Sequence, residues 1–456
     1  MKRFWLVLLS LGLVMAFSAS ALAVDVKVGA EYYAGGLYLN RMDVSGGHYG
    51  SDDYYSPSTA FFFQRLRVGT DFIVSPSLKL VTRFDAMERI WGGARSDEDS
   101  NWVEDSAGTR MENENIAIDL AYVQYTSPMG TFTAGYQNDG TWGTVFGDSS
   151  VPQGVIGWSL KQGAWTYLAQ IVKMEDNSRS ASNDSETTDL DYDKYIAGVI
   201  YNWKDGEAGA RYIFVRNASY KDDGYPYGSL IQMNSLQPYV KTKIGSVAIQ
   251  AELDYYWGKE DNEDGSTYYY YNQRMEGINF FVDAVADFKM FYVGGTFAYL
   301  SGDKVDTDKK EGGSYLHYGG ATGGGIDWNP CLILFNTEII DHWTGGVESD
   351  HDDDAVSGTM NNAWFFQGRV GVKPTSQSDV MLSLAYARAD EKPDSDYVDK
   401  AYGWEVDLTG TYKITNNLSY MLGFGYLFTG DFFKGSCENG IVENDYLLIN
   451  KLTLSF

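Results

Sequence analysis

The chain has 456 residues, with 35 Lys and Arg against 62 Asp and Glu, for a formal net charge of -27. That balance repels nucleic acid, the 2 cysteines offer neither a disulfide framework nor a Cys-based zinc site, and beyond residue 23 no run of about 18 apolar residues supplies a membrane-spanning helix. Aromatic residues make up 15% of the chain, with 35 Tyr, beside 50 Gly, which suits strands, tight turns and the aromatic girdles of a membrane barrel.

At the start, Lys2 and Arg3 precede an apolar run from Phe4 to Phe17 and a small-residue stretch ending Ala21-Leu22-Ala23. This is the layout of a secretory signal peptide, cleaved after Ala23. Residues 1–23 are therefore read as a leader and 24–456 as one domain. The first strand begins near Asp25, leaving no place for an N-terminal plug. On the second, Arg65, Arg67 and Asp71 alternate with Leu66, Val68 and Phe72, and the third carries Arg83 and Asp85. Such alternation puts one set of side chains on each face of a strand. Asp119 is a further acid on the presumed wall, followed by the strand-like segments 121–125 and 135–137.

Alternation resumes along the chain. Val247, Ile249, Ala251, Leu253, Tyr255 and Trp257 oppose Gln250, Glu252 and Asp254; Ile278, Phe280 and Val282 oppose Asn279 and Asp283. Trp364, Phe366, Val370 and Val372 oppose Gln367, Arg369 and Lys373. Trp404, Val406 and Leu408 interleave with Glu405, Asp407 and Thr409, and the last segment places Tyr446, Leu448, Leu452, Leu454 and Phe456 on one face. One face wants lipid and the other wants water. The region 301–362 fits no such pattern and is read as one long loop, although its apolar runs at 332–335 and 338–343 would also suit an extra hairpin.

Short connections at 75–77, 127–130, 162–163, 204–206, 245–246, 289–290, 374–378 and 415–417 alternate with long ones near 40–59, 91–115, 138–154, 175–193, 217–229, 258–274, 301–362, 389–400 and 429–444. The pattern predicts an all-β, transmembrane, antiparallel up-and-down β-barrel of about eighteen strands, with sixteen or twenty also compatible, short periplasmic turns and long extracellular loops. In lipid only helices and closed barrels satisfy every backbone group, and no spanning helix is on offer.

The inward basic set of Arg65, Arg67, Arg83, Lys241, Lys243, Arg369 and Lys373 has two readings: a lumenal ladder that biases permeation, or structural ion pairs with Asp71, Asp85 and Asp119. Acidic runs at 97–99, 261–264, 303–311 and 350–354 read as a solvated rim or as weak sites for divalent cations. Tyr268 to Tyr271, with Trp142 and Phe146, read as loop packing and girdle or as a stacking surface for sugars. All four histidines fall in long loops, and Asp341-His342 has no partner nucleophile, so no enzymatic activity is expected. Cys331 and Cys437 fall in the seventh and ninth loops on one side of the membrane; whether they form a disulfide depends on a distance the sequence does not give.

The terminal run Asp445-Tyr446-Leu447-Leu448-Ile449-Asn450-Lys451-Leu452-Thr453-Leu454-Ser455-Phe456 resembles the assembly signal of outer-membrane proteins, with Leu452, Leu454 and Phe456 as its apolar positions. Ala121-Tyr122-Val123-Gln124-Tyr125 through Gly130-Thr131-Phe132 to Gly135-Tyr136-Gln137 resembles the fourth and fifth strands of Gram-negative porins. The resemblance implies that the third loop, from Asn138 to Gly154, folds inward and sets Asp139 and Asp148 opposite Arg65, Arg67 and Arg83, with Trp142 and Phe146 in the same constriction. The family's acidic loop motif has no clear copy here. Eighteen strands look like the sugar-specific porins, the carboxylate channels and the alginate-export barrels. The expected function is passive diffusion of ions and small hydrophilic solutes across the outer membrane, without a cofactor. The alternatives are a selective channel or polysaccharide exporter, and a surface adhesion or cation-binding barrel with a blocked lumen. Outer-membrane lipid and lipopolysaccharide, the barrel-assembly machinery, periplasmic chaperones and two further copies of the chain in a homotrimer are the partners the resemblance implies.

Overall fold

Eighteen antiparallel strands of 10 to 17 residues, rich in aromatic and β-branched side chains, pair in sequence order until the last meets the first. The computed structural model describes residues 24–44, 56–92, 116–177, 190–219, 229–262, 273–304, 309–310, 323–347, 356–437 and 440–456. The expected leader lies outside them. The strands are β1 (Asp25–Leu39), β2 (Thr59–Ser75), β3 (Leu78–Ile90), β4 (Ile116–Ser127), β5 (Gly130–Asp139), β6 (Val151–Gln162), β7 (Trp165–Glu175), β8 (Tyr192–Trp203) and β9 (Gly206–Asn217). They continue as β10 (Ser229–Ile244), β11 (Val247–Asn262), β12 (Gln273–Asp287), β13 (Phe291–Leu300), β14 (Ala363–Thr375), β15 (Ser378–Ala389), β16 (Ala401–Lys413), β17 (Leu418–Thr429) and β18 (Asp445–Ser455).

The seam runs from Glu31↔Ser455 to Leu39↔Leu447, and Ala30 and Phe456 exchange main-chain hydrogen bonds of 2.8 and 3.0 Å. Among the described residues every one of the eighteen strands is paired on both sides. The turns at one end are two to four residues long, and Gly163 and Gly245 take φ of 62°, the left-handed conformation that hairpin turns demand. Third and seventh loops connect β5 to β6 and β13 to β14 at the other end. β13 and β14 pair directly, Leu300 opposite Ala363, so residues 301–362 leave the ladder and return to it at neighbouring positions.

Alternate side chains point outward and are apolar: Val28, Ile118, Ile156, Leu382 and Leu422 are each more than 45% exposed. The inward face departs from the water-lined lumen expected of the pattern. Two buried apolar clusters sit on it: Val155, Val172, Ile196, Ile213, Met233 and Tyr256 on β6 to β11, and Tyr33, Leu37, Phe63, Phe281, Phe365, Leu427 and Leu447 on strands either side of the seam. The second cluster is completed by the seventh loop. Its apolar runs form no barrel hairpin. Instead Cys331, Ile333, Leu334, Phe335, Ile340 and Trp343 are all at most 7% exposed and pack against that inner wall. A wide helical turn at Thr337–Asp341 runs into a single tighter one at His342–Thr344. Elsewhere in this loop, Lys309–Lys310 make a two-residue parallel bridge to Arg274 and Met275 of β12. Trp343 edges onto Tyr33 of β1 at 6.5 Å and Trp328 onto Phe281 of β12 at 5.4 Å; with the segment's contacts to β2, β3, β14, β16 and β18, only a position inside the ring reaches all of them.

Candidate functional site

The inward faces of β2, β3 and β4 carry a ladder of ion pairs. Arg67 meets both oxygens of Asp85, at 2.7 and 2.6 Å, and lies 3.7 Å from Asp119. Arg83 donates to Asp119 at 3.1 Å, Lys79 to Asp71 at 2.8 Å, and Arg65 to Glu88 at 3.4 Å while lying over the Tyr33 ring. Asp119 reaches the ladder because the β3–β4 register shifts between Arg83 and Phe84, so that Arg83 pairs with Leu120 and Phe84 with Ile118. A bulge of this kind re-aims one side chain. Arg65, Arg67, Asp71, Arg83, Asp85 and Asp119 are thus brought together, as pairs between neighbouring strands.

The other basic residues of the expected set lie elsewhere on the wall. Arg369 bonds Asp283 at 2.6 Å and Thr296 at 2.7 Å. Lys373 meets Asp287 at 2.8 Å, and Lys241 meets Glu207 at 2.8 Å. Lys243 lines a recess shared with Lys241, Gln250 and Asp283.

The third loop is shorter than 138–154, since β5 continues to Asp139 and β6 begins at Val151. It folds inward but onto β9 to β12, so Asp139 and Asp148 do not face the arginines of β2 and β3. Asp139 instead pairs with Lys194 of β8, both buried. Trp142 donates to the Gln237 carbonyl at 3.1 Å, stands edge-on to Tyr239 and lies under the Arg211 guanidinium. Thr144 donates its N–H and hydroxyl to Glu252, at 2.8 and 2.6 Å. The arginines already have strand neighbours, while β9 to β12 present the acceptors that the loop's free donors need.

Third and seventh loops then meet across the lumen. Phe146 stacks on Phe281 at 5.2 Å and edges onto Trp328, also at 5.2 Å. Gly325 N–H donates to the Phe146 carbonyl at 2.6 Å, and Ile326 N–H to Ser149 Oγ at 3.1 Å. A Cβ at 325 would overlap the main chain of Asp148, so only glycine permits this approach. Between the two loops and β8 to β11 lies a cavity of about 250 Å³, lined by Asp139, Lys194, Arg211, Gln237, Asp254 and Tyr256.

Beyond the junction the seventh loop is fastened around the ring. Trp343 stacks near Phe63 at 4.8 Å, and His342 meets Glu88 at 2.8 Å. Glu338 lies 3.7 Å from Lys451, and Gln367 of β14 donates to the Pro330 carbonyl at 2.6 Å. Glu405 of β16 accepts the N–H groups of Ile333 and Leu334, both at 2.7 Å. Asp341 accepts the Ser357 hydroxyl rather than forming a pair with His342. Cys331 and Cys437 are both free thiols: Cys331 is buried against β16, whereas Cys437 is half-buried in the ninth loop.

In the loops, burial raises the Asp148 carboxyl above its ordinary range, with Asp327 adding to the rise. Burial also raises Asp341, against the Ser357 hydrogen bond. The Cys331 thiol is pushed well up by burial and then by Glu405 and Asp407. Tyr268 to Tyr271 and the acidic runs at 97–99 and 350–354 lie outside the described residues. The sequence pattern did not mark Glu88, Arg211, Lys194, Glu405 or the 323–347 segment as parts of one site. Dyad parity puts Arg211, Glu405 and Asp407 on inward faces, but no local signal shows that two loops converge on them.

A closed ring of eighteen strands joined alternately by short turns and long loops, with an apolar belt and an ion-pair ladder inside, decides the architecture. The chain has the outer-membrane porin fold. No protein-family model and no curated protein matches it in sequence. Among solved structures it is similar to OccK9 (OpdG) of Pseudomonas aeruginosa, at 11% identity over 94% of this chain and 99% of that one, with a TM-score of 0.53. It is likewise similar to a BenF-like porin from Pseudomonas fluorescens Pf-5, at 10% identity over 94% and 99% of the two chains, with a TM-score of 0.50. At such identity the likeness is one of fold. The expectation of a porin-type barrel of about eighteen strands is met.

Proposed function

We propose that this chain is an outer-membrane porin through which ions and small hydrophilic solutes diffuse passively. The observation that carries this reading is the ladder of Arg67, Asp85, Arg83 and Asp119 on the inner wall of a closed barrel, with Arg67, Arg83 and Asp119 partly exposed and Asp85 buried against Arg67. Charges on that face gain nothing from lipid and are useful only where water enters, and low-dielectric walls strengthen their effect on a passing ion. The third and seventh loops fold into the ring and narrow the aqueous space within it. No step of the transport needs a cofactor or a covalent intermediate.

The remaining expectations belong to the same reading. Residues 1–23 direct export and are removed; the mass of the mature protein, beginning at Val24, checks this. Lipid and lipopolysaccharide surround the belt, the barrel-assembly machinery and periplasmic chaperones deliver the chain, and a homotrimer is its assembled form, tested by the mass of the detergent-solubilised complex. One observation favours a second reading. The seventh loop packs as a buried core against the inner wall on either side of the seam, as a barrel used as a surface scaffold with a blocked lumen requires. Purified protein in a planar bilayer separates the two. Stable conductance steps support the porin, and a correctly folded protein that never conducts supports the scaffold.

A further inference from the structure

Glu405 and Asp407 stand two residues apart on the inward face of β16, 0% and 2% exposed. Cys331 of the seventh loop, 3% exposed, reaches the same spot. One ligand atom from each of the three lies within 4.8 Å of the others. The hydrogen bonds they receive come from uncharged donors, among them Ile333 N–H and Leu334 N–H to Glu405, the Ser383 hydroxyl to Asp407 at 3.3 Å and Gln367 Nε2 to Cys331 Sγ at 4.0 Å. Two adjacent carboxylates removed from water need a positive charge, as a proton or as a cation.

A separate observation marks where that charge would sit. Asp407 Oδ1 accepts no hydrogen bond, and it opens onto the same space as Glu405 Oε1. A Cβ built on Gly425 would stand 2.9 Å from Asp407 Oδ1 and 3.5 Å from Glu405 Oε1. A side chain at 425 would therefore crowd Asp407 Oδ1, together with Leu332 Cβ at 3.1 Å from the same point.

We propose that Cys331, Glu405 and Asp407 bind a divalent transition-metal ion of the zinc class, which staples the seventh loop to the barrel wall. The donor set selects the ion. A thiolate is a soft ligand that disfavours Ca²⁺ and Mg²⁺, whereas zinc accepts sulfur and carboxylate oxygen together. Ligands about 2.0–2.3 Å from such an ion lie roughly 3–4 Å from one another, so the group closes by a shift of about 1 Å. Cys331 releases its thiol proton to solvent as the sulfur–metal bond forms. The N–H groups of Ile333 and Leu334 orient Glu405 from behind, as outer hydrogen bonds do for metal-binding carboxylates. The ligands come from segments far apart in sequence, so no spacing motif announces the site.

The test uses the full mature protein, folded in detergent, stripped with a chelator and then given Co²⁺ alone or Zn²⁺ alone. The expected result is one ion per chain by elemental analysis and a thiolate-to-cobalt charge-transfer band in the near ultraviolet. Cys331→Ser abolishes the band and weakens binding at least tenfold, Asp407→Asn and Gly425→Ala weaken it comparably, and Cys437→Ser changes neither. Heat-modifiable migration on gels reports that each variant is folded. Wild-type protein that takes up no stoichiometric ion or shows no band overturns the proposal without reference to any variant, and leaves a carboxyl pair that shares a proton. A band that survives in folded Cys331→Ser also overturns it. None of these readouts depends on conductance, so the site and the porin reading stand or fall separately.

Discussion

Arg67 is held by both oxygens of Asp85, and Arg83 by Asp119, so each guanidinium cancels a carboxylate of its own wall. Changing Arg65, Arg67 and Arg83 together to Gln leaves Asp85 and Asp119 without their arginines, and Glu88 with His342 alone, on the wall of the proposed path. The reversal potential of the variant should move towards cation preference, and more strongly at low salt than at high, because the screening length is about 10 Å at 0.1 M. An unchanged potential in a folded variant removes these residues from the path. Asp148 gives a second effect at this scale. Its folded-state proton affinity is raised by burial and by Asp327, so the stabilisation linked to its protonation is present in acid and lost as pH rises through the raised value. The junction of the two loops should tighten, and current fall, as pH drops towards the ordinary carboxyl range near about 4. Asp148→Asn should flatten that step in current recorded against pH. The parity of the ladder was legible in the alternation of Arg65, Leu66, Arg67 and Val68. The pairing was only half legible, because the β3–β4 bulge that recruits Asp119 leaves no mark in a dyad pattern.

At the junction of the two inward loops, Phe146 packs against Trp328 of the seventh loop and Phe281 of β12. Phe146→Ala removes about 3–5 kcal/mol of local packing, spent on loop docking rather than on the ladder of strands. The barrel should keep its heat-modifiable migration, while protease cuts the seventh loop faster than in the wild type. Because Leu300 and Ala363 are paired neighbours, residues 303–361 are replaceable by a short Gly-Ser turn without breaking a strand. That variant should assemble and conduct severalfold more than the parent; equal conductance would mean that the loop does not obstruct the path. This element was the least legible in the chain. Runs such as 332–335 have strand-like composition, and nothing within a few residues shows that their burial partners lie on strands from both ends of the sequence.

At the scale of the whole molecule, strand number, order and closure were readable because they rest on local signals: dyad parity, turn residues and the alternation of short and long connections. The expected water-filled interior was not correct everywhere, since inward positions such as Leu37, Phe281 and Leu447 are buried under the seventh loop. A lumen that is filled packs like the interior of a globular protein. Closure itself is testable at Phe456. Deleting it removes both hydrogen bonds to Ala30, each worth about 1 kcal/mol net, and should lower the amount of heat-modifiable barrel in the outer membrane while degraded chain accumulates. Normal amounts of folded protein would show that the seam does not need its last residue.

The seam also sets an order in time. β1 pairs with β2 on one side and with β18 on the other, so one edge of the first strand has no partner until the final strand is in place. Throughout that interval the inward Tyr33 and Leu37 of β1 have no β18 neighbours to pack against, and an unpaired edge accepts any extended chain. Contacts of such long sequence separation form slowly, because loop closure precedes the gain they bring. The slowest and most vulnerable event in the life of this protein is therefore its own completion.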